Sequence, residues 1–127
     1  MNLEARCDAI EECYEFMLAY AAQGLESDRA SLQGGQIRHL LGQSVTALTG
    51  MAEAYGSELP GEHYRPFIGV LHRDAEDSLA AIRLVLAQPA ISSQLIDNLN
   101  ASIHLRALLT DLFLLDEILK LQQRILQ

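Results

Sequence analysis

The chain has no tryptophan, three prolines, two cysteines and no long uninterrupted apolar run. Each shortage argues against a class of protein. Scarce proline beside 50% hydrophobic residues argues against a disordered or low-complexity chain. No apolar run reaches the roughly 18 residues that a membrane span needs. The opening MNLEARCDAIEE is acidic and amphipathic, unlike a basic and then apolar secretory signal, so the expected compartment is the cytoplasm. Cys7 and Cys13 would project about 120° apart on one helix, too divergent to bond each other. No CxxC or Cys/His ligand spacing exists, so both cysteines read as small core residues. Basic residues are also few, 9 Lys and Arg against 17 Asp and Glu, for a net charge of −8. That balance argues against binding a nucleic-acid backbone or an anionic membrane surface. It leaves room for a basic protein partner.

What is present is helical periodicity throughout the 127 residues, enough chain for one domain with a real core. Residues 2–23 read as a first helix, with Leu3, Cys7, Ile10, Tyr14, Met17 and Ala21 inward at bundle spacing. Asn2 suits its cap and Gly24 its stop. Glu4, Asp8, Glu11 and Glu15 form an acidic stripe on it, either a solvated face or a docking strip for a basic protein. Residues 24–35 form a polar connector in which Gly34-Gly35 interrupts any helix, and a second helix follows at 36–55. The loop 56–65 leads to a third helix at 66–88, opened by Pro66 and stopped by Pro89. Ser92 or Ser93 caps the fourth, from 93 to the end. The expected fold is all-α, an antiparallel four-helix bundle in a single domain 1–127 with a long, leucine-rich last helix. That helix either breaks near Asn98–Asn100 or overhangs the bundle.

The last stretch, ASIHLRALLTDLFLLDEILKLQQRILQ, carries two apolar rows. Ile103, Ala107, Leu114, Ile118, Leu121 and Ile125 make one; Leu105, Leu108, Leu112, Leu115, Leu119 and Leu126 make the other, about 120° away. His104, Asp111 and Gln122 run between them, and Phe113 projects from the polar side. Such a helix needs two neighbouring layers. Either both lie within the monomer, or one row meets a second chain. The candidate interaction residues on the second reading are Leu108, Leu112, Phe113, Leu115, Leu119 and Leu126, with a homodimer as the product.

Chemistry finds little support. No Glu-x-x-His occurs, so a carboxylate-bridged di-metal site lacks its ligands. His72 with Glu76, and Arg73 with Asp77, look like a surface ladder of charged pairs. No serine or cysteine sits beside an evident base. No catalytic residue, cofactor or metal is expected, and the function expected is that of a non-enzymatic adaptor or regulatory module acting by helix contact. Tyr14, Tyr20 and Tyr55 offer a further reading as the lining of a small-ligand pocket.

The stretch Ile37-Arg38-His39-Leu40-Leu41-Gly42-Gln43-Ser44 resembles the histidine phosphotransfer domains. Those are acidic four-helix bundles of about this size whose phospho-accepting histidine lies in a His-x-Leu-Lys-Gly motif. His39 and Leu41 match, whereas glycine arrives one residue early and the lysine is missing. The resemblance implies His39 as an alternative phospho-acceptor in a signalling module.

Overall fold

The computed structural model describes residues 1–29 and 31–126, and for Leu126 the backbone alone. It is all-helical, with six helices: α1 (Leu3–Ala21), α2 (Leu32–Leu48), α3 (Met51–Glu58), α4 (Arg65–Leu86), α5 (Ser93–Asn100) and α6 (Ile103–Leu126). Side-chain caps begin several of them: Asn2 Oδ1 accepts from the Ala5 amide at 2.8 Å, Ser31 Oγ from Gly34 at 3.0 Å and Ser92 Oγ from Leu95 at 3.0 Å. Each cap satisfies an amide with no partner inside its own helix.

Two expected helices are each split. The second breaks after Leu48, where Gly50 takes a left-handed conformation (φ 77°) that a side chain would disfavour. Arg6 of α1 reaches this break and donates from one nitrogen to the carbonyls of Ala47 and Thr49, at 2.8 and 2.6 Å. The guanidinium thus neutralises the exposed carbonyl end of α2. The last helix breaks at Ala101–Ser102, so α5 and α6 are separate elements. Helix α6 is therefore about 36 Å long at 1.5 Å per residue, close to α4 in length.

Gly34 and Gly35 do not keep the chain from coiling, because α2 starts at Leu32 and includes both. Gly34 is buried in the first turn against the backbone of Asp28, and a β-carbon there would overlap the Asp28 carbonyl. Its helix-weakening side is outweighed by this close approach.

All six helices contribute to one buried apolar cluster. Helix α1 packs chiefly on α2 and α5, while α4 packs on α6, α3 and α2. At one end the α1–α2 connector is tied to the α4–α5 turn. Asp28 is buried; its Oδ1 accepts from the Ile91 amide at 2.7 Å, and its Oδ2 takes the Arg38 Nε. The same guanidinium donates to the carbonyls of Leu86 (3.1 Å) and Gln88 (2.8 Å) at the end of α4. Ser93 joins in, donating to the Tyr20 carbonyl at 2.6 Å and accepting from the Leu25 amide at 2.8 Å.

Burial raises the Asp28 pKa, yet the bonds from Arg38 and the Ile91 amide outweigh it and hold the carboxyl below its ordinary value. Truncating Arg38 to alanine would strand this charge and two carbonyls. Arg38→Ala is expected to lower unfolding free energy by about 2–4 kcal/mol, read from urea melts at neutral pH.

Candidate functional site on the last helix

Helix α6 turns its leucine row inward. Leu105, Leu108, Leu112 and Leu115 are buried, and Leu119 is partly buried against the same core. The side chain of Leu126 lies outside the described residues. This corrects the orientation expected for Leu108, Leu112 and Leu115, which cannot meet a second chain from inside the core. The outward row is the other one. Ile103 is 74% exposed, Leu114 51%, Leu121 47% and Ile125 83%, with Ala107 and Ile118 partly covered between them. Phe113 is also exposed, on the adjoining polar side.

The polar residues between the rows explain the choice. With the leucines inward, Gln122 donates to the Tyr64 hydroxyl at 2.8 Å, and Ser78 of α4 donates to the His104 carbonyl at 3.1 Å. His104 Nδ1 lies 3.8 Å from Asp77. Asp111 is buried against Asp74 of α4. Turning the other row inward would carry these groups away from α4. Asp77 thereby lies beside His104, and among the described residues the ion pair formed by an arginine is Asp28–Arg38. The expected Arg73–Asp77 pair is not formed. His72 and Glu76 are both exposed.

Asp111 is under electrostatic tension. Burial raises its pKa first, and hydrogen bonding with the Asp74 carboxylate and that group's charge raise it further, to about 7. Asp111 Oδ2 is buried without a hydrogen-bond partner, so no donor offsets a charge there.

Tyr55 is fully buried and donates to Asp116 Oδ1 at 2.6 Å, with Cys7 Sγ 3.1 Å from its hydroxyl. Burial pushes the Cys7 thiol up to about 11; the Tyr55 bond opposes this, and Asp116 adds to it. A protonated, enclosed thiol is a poor nucleophile. Burial also raises Cys13. Tyr14 borders a cavity of about 10 Å³, lined also by Ile10, Cys13, Met17 and Ser44. That is room for one water rather than a ligand. Tyr20 spends its hydroxyl on the Ile91 carbonyl at 2.7 Å, far from such a pocket.

His39 is exposed on α2, in a groove with Glu12, Glu15, Phe16, Gln36 and Leu40. Two carboxylates beside the imidazole repel an incoming phosphoryl group. Arg38, the nearest cation in sequence, is committed to Asp28. Glu4, Asp8, Glu11 and Glu15 all face outward on α1. Among the described residues, no group of three or more His, Cys, Asp or Glu side chains is placed to hold a metal ion. No helix among them is long and apolar enough to cross a membrane.

Comparison with protein-family models, with curated proteins and with solved structures returned no match.

The roles of Arg38 and Asp111 escaped sequence reasoning. Asp28 and Arg38 stand ten residues apart across a connector, a spacing that no helix rule pairs. Asp111 had a visible signal, an acid between two apolar rows. Because its pKa is raised in the fold, its contribution to stability is full below the ordinary value of 3.8 and is lost as pH rises towards about 7. Asp28 behaves oppositely, its contribution lost as pH falls through its depressed value. Asp111→Asn is expected to stabilise the fold by about 2 kcal/mol at pH 8, less than the full shift because α6 has an open side. It should also flatten the decline between pH 4 and 7, measured by urea unfolding across that range.

Proposed function

We propose that this protein works without chemistry of its own, as a helical adaptor or regulatory module that pairs with a second copy of itself through α6. The observation that carries this is the outward row Leu114, Leu121 and Ile125, half or more exposed or nearly so, on a helix whose opposite row is already in the core. A contiguous apolar row on a surface is the kind of feature that a partner covers. We read the six helices as four antiparallel units, with α2–α3 and α5–α6 each one bent unit. The hydrogen bonds of Ser78 with His104 and of Tyr64 with Gln122, at opposite ends of α4 and α6, support that reading. The acidic face of α1 stands apart from this row and is free to meet a basic protein. The carboxylates around His39 weigh against phosphotransfer.

Light scattering across a dilution series tests the pairing. Wild type should be a dimer, and Leu114→Glu with Leu121→Glu should give a folded monomer with unchanged helical circular dichroism. Leu112→Glu, in the core, should instead lose about 3 kcal/mol or more of stability. A wild-type monomer at all concentrations, or a dimer indifferent to the outward pair of substitutions, would overturn the proposal.

A further inference from the structure

The charges beside the outward row specify how two copies meet; this inference rests on the self-association proposed above and adds its geometry. From Ala107 the row continues Leu114, Ile118, Leu121 and Ile125; Asp111 shares the four-three spacing but is buried against α4. That row is the seam of a paired helix. Thr110, Glu117 and Arg124 run along one flank of it at seven-residue intervals, all exposed. At the level of Leu121 the other flank is Gln122, bonded to Tyr64 and uncharged. Charge selection between registers therefore falls to the first flank.

Four alignments of two α6 helices bring seam onto seam over more than a turn. A parallel pair in register sets Glu117 beside the partner's Gln122 and forms no flank ion pair. An antiparallel pair with Leu114 on the partner's Ile118 sets Glu117 against the partner's Glu117. Sliding one way, Leu114 falls level with the partner's Asp111 and Glu117 comes opposite the partner's uncharged Thr110. Sliding the other way, Leu114 meets the partner's Ile125 and Ile118 meets the partner's Leu121. In that last register, flank positions of an antiparallel pair face their own kind, and Glu117 comes opposite the partner's Arg124.

We infer that two copies pair antiparallel through the second half of α6, with Leu114, Ile118, Leu121 and Ile125 interleaved and two symmetry-related Glu117–Arg124 ion pairs on one flank. The occupant of the row is thus a second copy, because the row's own flank supplies the complementary charge. Ile103 and Phe113 lie outside the paired segment.

The test is a charge swap, read as the dimer dissociation constant by sedimentation at low and high salt. Glu117→Arg alone and Arg124→Glu alone each set like charges against each other twice per dimer. Each should weaken the dimer roughly tenfold in 50 mM salt, with the gap closing in 0.5 M salt. The double variant restores opposite charges and should return to within about threefold of wild type. Both side chains are exposed, so the helical content of each variant should match that of wild type. A dimer unaffected by either single change, or weakened by both and not restored by the double, would overturn this register and leave self-association standing. A monomeric wild type would overturn both.

Discussion

The Asp28–Arg38 pair is the constraint from which the rest of the arrangement follows. One guanidinium neutralises a buried carboxylate in the α1–α2 connector and receives the last carbonyls of α4. The same carboxylate holds the Ile91 amide just before α5. Three chain segments distant in sequence are therefore fixed at one point, and a cation sits at the negative end of the α4 dipole. A charge buried in this way is costly unless fully partnered, so the contact tolerates little displacement. Tyr20 and Ser93 extend the tie to the end of α1 through the Ile91 and Tyr20 carbonyls.

With that end fixed, α4 presents a definite edge, and α6 must rotate to suit it. Asp111, His104 and Gln122 each find a counterpart on α4 or at its start, in Asp74, Asp77 and Tyr64. The Gln122–Tyr64 hydrogen bond is favourable, whereas Asp111 and Asp74 set one carboxyl against another. The leucine row is then inside, and the isoleucine-containing row is left facing water. The interface we propose and the strained acid are thus two results of a single rotation.

Local rules served well where a residue acts on its own neighbours. Asn2 and Ser92 cap the helices expected of them, and the cysteines are buried and free. They served less well where a distant backbone intervenes. Gly34 reads as a helix breaker until Asp28 is seen packed against it. Gly50 reads as a glycine within a helix, whereas Arg6 from α1 stabilises the carbonyl end that forms when the helix stops there. The two rows of α6 are equally apolar by composition, so periodicity alone gave no preference for the leucines.

An all-helical chain, the caps at Asn2 and Ser92 and the double-faced character of the last helix were determined by sequence alone, because 3.6-residue periodicity and caps act within a few residues. Which face of α6 is covered, which arginine is structural and which acid is strained were decided only in the tertiary structure. Those depend on the relative positions of α2, α4, α6 and the connectors, and such long-range electrostatic and packing terms have no fixed spacing along the chain.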